Sequence, residues 1–312
     1  MRTIVLSFRS IVFSSLILAL ALAAAQHARA QGLGYEGPTG VFVTPLASVA
    51  ASPANGLGKP AVAYHFLAGG NVVGDFSTVS VTEGFAKRFE VGYTSEIHAG
   101  SDNLANGSGG LPWQFNFSIV HGKANLLPEN YGKRNWVPAI SVGAIYRFDD
   151  NEAGDGNNDS ALSSGSQTNN NADFYVVGTK VITQISKKVP VLISGGVRGT
   201  NAELWGLGGN APNYQARAFG AAALIFTGPS KSTIIVGSEV SQQPKQILVD
   251  KTLTLPASIL DVPTSTVFAA RFIPSSKHKF NIDAGVLHAG EGGNNPVLNL
   301  RYRAAFGISY SF

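Results

Sequence analysis

From Ala61 to the end of the chain, apolar and polar residues alternate one by one in segment after segment. A period of two marks a strand with two unlike faces, because successive side chains leave a strand on opposite sides. The final segment shows it plainly. In "LRYRAAFGISYSF", Leu300, Tyr302, Ala304, Phe306, Ile308, Tyr310 and Phe312 alternate with Arg301, Arg303, Ala305, Gly307, Ser309 and Ser311. A soluble sandwich would turn the first set to a core. An outer-membrane barrel would turn it to lipid and line its lumen with the second set.

About twelve such segments recur, at Ala61–Leu67, Phe76–Thr82, Arg88–Ile97, Gln114–Gly122, Ala139–Phe148, Asp173–Ile182, Val191–Thr200, Tyr214–Phe226, Ser232–Ser241, Thr264–Ile273, Phe280–His288 and Asn299–Phe312. Most are close to the roughly 9–11 residues that a tilted membrane strand requires. Their connections alternate between short ("EGFAK", "QISKKVP", "TGPSK", "PSSKHK") and long and polar ("HAGSDNLANGSGGLP", "DDNEAGDGNNDSALSSGSQTNNNA", "QQPKQILVDKTLTLPASILDV"), except that "LAGGNVVGD" is short for an outer loop and "KANLLPENYGKRNWVP" long for a periplasmic turn. Tight turns at one end and long loops at the other are the habit of outer-membrane barrels. The expected fold is therefore all-β: a transmembrane antiparallel up-and-down β-barrel of about twelve strands. A soluble sandwich or propeller is the runner-up.

Placing the polar phase of each strand toward the lumen keeps charges out of lipid, where an Arg at the bilayer midplane costs about 2–4 kcal/mol. In "RFEVGYTSEI" this turns Arg88, Glu90, Thr94 and Glu96 inward. In "AISVGAIYRF" it turns Ser141, Gly143 and Arg147 inward, and in "QFNFSIV" Gln114, Asn116 and Ser118. The faces of Asp173–Ile182 and Tyr214–Phe226 do not resolve.

The head of the chain reads as a targeting segment. Arg2 and Arg9 precede the uncharged run Ile11–Ala25, and Ala28-Arg29-Ala30 is a small-x-small cleavage pattern. Residues 1–30 are expected to be a signal peptide. Residues 31–60, with Pro38, Pro45, Pro53 and Pro60, are expected to be an N-terminal periplasmic segment, and residues 61–312 the barrel. No later stretch is apolar for long enough to span a membrane as a helix. The chain has no cysteine, which excludes disulfides, thiolate metal sites and cysteine nucleophiles. The net charge of +4 counts Arg2 and Arg9, which leave with the signal, so it implies no nucleic-acid partner.

Trp136–Arg147 ("WVPAISVGAIYR"), Ala172–Ile182 ("ADFYVVGTKVI"), Val191–Gly209 ("VLISGGVRGTNAELWGLGG") and the terminal strand resemble a family of Gram-negative outer-membrane proteins catalogued as a domain of unknown function. The likeness covers about half of the mature chain. Its motifs are strand-and-turn patterns, so it implies architecture and brings no catalytic residues. "GPTGVFVTP" (Gly37–Pro45) is similar to the first segment of other outer-membrane barrel families. Phe312 resembles the C-terminal aromatic that such proteins present to the barrel assembly machinery. The resemblance implies that machinery as a partner during biogenesis.

The candidate lumen-lining charges are Arg88, Glu90, Glu96, Arg147, Arg198, Glu239, Arg271, Asp283, Arg301 and Arg303. A positive wall at Arg271, Arg301 and Arg303 would favour anions. Alternatively Arg and Glu cross-pair and fill the lumen. Asp155, Asn157 and Asp159 occupy the first ligand positions of a calcium loop, but Ser160 and Ser166 stand where Gly and Glu belong. That leaves a solvated loop, with divalent bridging to lipopolysaccharide the other use. No cofactor is expected. A hydrolase needs a positioned nucleophile and base. His65, His98, His121, His278 and His288 are scattered, and Ser101 beside His98 has no evident orienting carboxylate. The chain therefore reads as a porin-like channel for small polar solutes, anions included, and not as an enzyme. A filled structural or surface-interaction barrel is the alternative, and a membrane-embedded hydrolase comes third.

Overall fold

The computed structural model describes residues 32–70, 74–99, 116–149, 170–186, 188–207, 210–244, 264–274, 279–290 and 300–312. The expected signal peptide, the Asp155–Asp159 loop, Ser101 and His278 lie outside them. The strands are β1 (Ala61–Ala68), β2 (Asp75–Phe85), β3 (Phe89–Ala99), β4 (Phe117–Leu127), β5 (Ala139–Asp149), β6 (Asn171–Ile182), β7 (Val191–Ala202), β8 (Asn210–Thr227), β9 (Thr233–Gln242), β10 (Thr264–Ile273), β11 (Phe280–His288) and β12 (Arg303–Ser311). Each pairs antiparallel with its neighbours in sequence. β1 then pairs with β12, from Ala61 opposite Ser311 to Leu67 opposite Ala305. The sheet thus closes into a twelve-strand up-and-down barrel, which leaves no unpaired edge in lipid.

The outer surface carries the apolar phase, with Val79, Ile97, Val142, Val176, Val240 and Ile308 all exposed. Such a belt on a closed barrel is the surface of an outer-membrane β-barrel, and no soluble sandwich presents it. The faces left open resolve here: Asp173, Tyr175 and Val177 of β6 and Phe219, Ala221 and Ala223 of β8 are buried within, while Phe174, Val176 and Leu224 face out. Aromatics mark the ends of the belt, including Tyr310 and Phe312 in an edge-on pair and the stacked Tyr146 and Phe148. The β2–β3 turn is tight. Ala86 and Lys87 both adopt positive φ, and the Arg88 amide donates to the Phe85 carbonyl at 3.0 Å, the mirror-image turn that suits strand twist.

β4 reverses the expected phase. Phe117, Ile119, His121, Lys123 and Asn125 are buried inside, and Val120 is exposed. Ser118 faces outward, its hydroxyl 2.7 Å from that of the outward Tyr93. The reason is that the lumen is not purely aqueous.

Strands about 4.8 Å apart and tilted about 40° close, at this number, on a backbone radius of about 12 Å. Inward side chains cannot fill that width alone. The N-terminal segment does so. Expected in the periplasm, residues 33–50 are instead enclosed by the barrel, with Leu33, Tyr35, Phe42, Thr44, Ala47 and Ala50 buried. This plug folds on itself through Gly34 N–H to the Pro38 carbonyl (2.8 Å) and Tyr35 N–H to the Phe42 carbonyl (2.6 Å). Gly37, at φ 100°, lies so close to Thr94 and His121 that a side chain there would collide with both.

An apolar core therefore forms inside the lumen. Tyr35, Phe42 and Val43 of the plug pack with Leu67, Phe76, Val267, Leu287 and Ala305 of the wall. Leu204, Trp205 and Leu207 join them from the turn after β7, which folds inward with Leu204 and Trp205 at positive φ. Two adjacent non-glycine residues in that region cost about 1–2 kcal/mol each, held here by burial. The Leu204 amide donates to Gln243 Oε1 at 2.8 Å, tying the turn to the end of β9.

Candidate functional site: the plugged lumen

Strand phase carries Glu90, Glu96, Arg147, Arg198, Glu239 and Asp283 into the lumen, where all are buried. Their partners are mostly the plug. The Glu239 carboxylate accepts from the backbone amides of Phe42 (2.8 Å), Val43 (3.0 Å) and Thr44 (2.6 Å) and from the Thr44 hydroxyl (2.7 Å). Three successive amides converge on one carboxylate, a cradle that a Gly- and Thr-containing turn can form without a helix. Glu90 accepts from Thr39 N (3.0 Å), the Thr39 hydroxyl and Ala50 N (2.7 Å), and pairs with Lys123 at 2.9 Å. Lys123 Nζ then donates to the carbonyls of Thr39 (2.8 Å) and Leu46 (2.9 Å).

Arg147 holds the plug at its outer end. Its Nε donates to Glu36 Oε1 at 2.6 Å, Nη1 to Asn171 at 2.6 Å and Nη2 to Asp173 at 2.8 Å. Glu96 lies beside Tyr35 in the same outer half. Arg271 meets its cross-strand partner Asp283 in a two-point pair (2.7 and 3.0 Å) and donates to the carbonyls of Gly40 and Val41, each at 3.0 Å. Hydroxyls complete the set: Thr78 donates to the Tyr35 carbonyl, Thr82 to Gly37 and Thr94 to Glu36. Among the described residues, side chains of β2, β3, β4, β5, β6 (Thr179, which accepts from the Ala47 amide), β9 and β10 thus hold the segment. Charge-assisted bonds of this kind are about twice as strong as neutral ones.

Three of the expected lumen charges have other places. Arg88 sits in the β2–β3 turn and donates to the Asn125 and Leu126 carbonyls at the rim. Arg301 precedes β12 and is exposed in the outer connection. Arg303 opens β12 on the inward phase, but its guanidinium lies against Gly70 in the β1–β2 connection. With Arg271 neutralised by Asp283, these residues do not form a free positive wall. The register of β10 against β11 sets Arg271 directly opposite Asp283, which spacing along either strand alone does not reveal.

The histidines are apart. His65 packs edge-on to Phe42 at 5.3 Å, His121 is 3.2 Å from the Thr82 hydroxyl, His98 stacks on Phe76 and His288 on Tyr302. Lys123 and Asn125 of the wall and Glu36 of the plug join the two, and the alternation misses them. Following the odd phase of β4 past Gly122 reaches Lys123 and Asn125, so a longer segment would have exposed the inward charge.

A family model described as "Protein of unknown function (DUF3034)" matches residues 34–273, from the plug to the end of β10. Among solved structures, a KdgM porin is similar at 12% identity and TM-score 0.44, covering 81% of this chain and 99% of that one. A NanC porin is similar at 11% identity and TM-score 0.45, covering 81% and 98%. The beta domain of the Bordetella autotransporter BrkA is similar at 11% identity and TM-score 0.31, covering 83% and 100%. No curated protein matches.

Proposed function

The chain belongs to the DUF3034 family of proteins of unknown function, and we propose that it is a porin-like outer-membrane channel for small polar solutes whose own N-terminal segment plugs the lumen. The observation that supports this reading is the relation of wall to plug. The wall is a wide closed barrel lined by hydroxyls and charges such as Thr78, Ser80, Thr94 and Ser141. An eight-stranded barrel fills with its own side chains, whereas this one needs an added segment to fill. That segment adds no strand to the sheet. Among the described residues of 33–50 it makes only the isolated bridges Leu33 with Thr39 and Gly40 with Pro45, both within itself, and backbone pairing with the barrel begins after it, where Leu57 bridges Phe85 and the Gly58 amide donates to the Gly84 carbonyl at the rim. It is held by side chains, so it can leave without opening the barrel. The residue 1–30 signal and Phe312 deliver the chain to the outer membrane through the assembly machinery, facing lipopolysaccharide outside.

A second reading is favoured by the core shared between plug, wall and the turn at Leu204–Leu207: a filled barrel that never conducts. Planar-bilayer recording separates the two. Wild-type protein is expected to pass small or intermittent currents, and a variant lacking residues 33–52 larger and steadier ones. A deletion variant that still migrates as a heat-modifiable barrel yet carries no current would establish the filled barrel and end the channel reading.

A further inference from the structure

Arg198 on β7 and Arg217 on β8 are cross-strand partners, and both occupy the inward phase. Like charges directly opposite one another destabilise a sheet unless something neutralises them. On β5 to β8 and the turn after β7, among the described side chains, the inward arginines are Arg147, Arg198 and Arg217, and the buried carboxylates are Asp173 and Glu203. The plug adds Glu36, which Arg147 takes. Asp173 Oδ2 is shared, at 2.8 Å from Arg147 and 3.4 Å from Arg198. Arg198 Nη2 and Arg217 Nε are both buried without a hydrogen-bond partner. The Arg198 guanidinium lies over the Phe219 ring, 5.2 Å from its centre, which fixes its direction. Arg217 Nη2 donates to Gln215. Unlike Arg271, whose donors go to Asp283 and to plug carbonyls, this pair keeps donors to spare.

We propose that Arg198 and Arg217 form an oxyanion-binding station in the outer half of the lumen, which selects small carboxylate- or phosphate-bearing solutes. The proposal rests on the channel reading and names its substrate class. A guanidinium pair offers several N–H donors in planar forks, the geometry that carboxylate and phosphate oxygens accept. The pair lies toward the outer end of β7, beside the Arg147 that holds Glu36 of the plug. A solute entering from outside would reach it before passing the plug. An anion bound there would relieve the cross-strand repulsion, giving binding a driving force that a neutral solute lacks.

Isothermal titration calorimetry on the full mature protein in detergent micelles tests this, with sodium succinate and inorganic phosphate as probes and choline chloride as control. Saturable binding of succinate or phosphate is expected, weakening with salt. Arg217→Gln should lower the affinity by roughly tenfold or more, a loss of one charge-assisted contact. Arg217→Lys should retain part of it. Arg134→Gln, in the exposed periplasmic connection, should leave it unchanged. All variants are checked as heat-modifiable barrels first. Absence of saturable binding, or binding that Arg217→Gln leaves intact, overturns the station. Protein that binds but conducts in no plug variant keeps the station and loses the channel. Protein that conducts without binding loses the station alone.

Discussion

Removing the Glu239 carboxylate should release the middle of the plug. Glu239 is buried on β9 and accepts four hydrogen bonds from the three residues Phe42, Val43 and Thr44. A hydrogen bond to a charged group contributes about 1.5–3 kcal/mol net. Four on one carboxylate are not additive, because the carboxylate is itself costly to bury and the plug can relax. Glu239→Ala is therefore expected to weaken plug docking by about 3–5 kcal/mol. Each 1.4 kcal/mol is tenfold in an equilibrium, so the undocked population should rise by about 10²–10⁴. Glu239→Gln keeps one carbonyl acceptor and loses the charge, so its effect should be intermediate. Amide hydrogen exchange read by mass spectrometry on peptides covering Phe42–Thr44, in micelles, reports that population directly. Peptides from β7 serve as the internal reference. If exchange at Phe42–Thr44 in Glu239→Ala stays within about threefold of wild type, the cradle contributes less than about 1 kcal/mol and does not hold the plug.

Other expectations follow from the same geometry. Glu90 and Lys123 are a buried pair, so removing either partner alone should cost about 3–5 kcal/mol in urea unfolding of the micellar protein, and the pair Glu90→Leu with Lys123→Met should cost less than the sum. Val120→Arg places a charge on the lipid face of β4 and should impair insertion into vesicles by about 2–4 kcal/mol if the site is near the midplane; unimpaired insertion would return β4 to the opposite phase. Lys87→Gly, at φ 56° in the β2–β3 turn, should stabilise the barrel by about 1 kcal/mol, measured as a raised urea midpoint. Deleting Phe312 should slow outer-membrane insertion in pulse-chase experiments and raise periplasmic degradation, whereas unchanged kinetics would show that the assembly machinery does not read it.

Strand number, order and most faces were legible in the sequence because alternation is a property of adjacent residues. Ile308 and Tyr310 face out and Gly307 and Ser309 face in for no reason beyond the period of two and the cost of charge in lipid. Where that reasoning failed, the missing information was not local. By alternation alone Phe117 and Ile119 belong on the lipid face, since an apolar side chain is expected to meet lipid. They point inward because the lumen holds an apolar surface, which exists only once residues 33–50 are enclosed. That enclosure depends on barrel circumference, set by all twelve strands together. The Gly- and Pro-rich plug has no repeating pattern to betray it, since its backbone groups are satisfied by wall side chains up to 231 positions away. The same holds for charge. Composition shows how many arginines and carboxylates there are. Only register decides that Arg271 meets Asp283 while Arg198 meets Arg217, because cross-strand neighbours are chosen by the hydrogen-bonded ladder and not by distance along the chain.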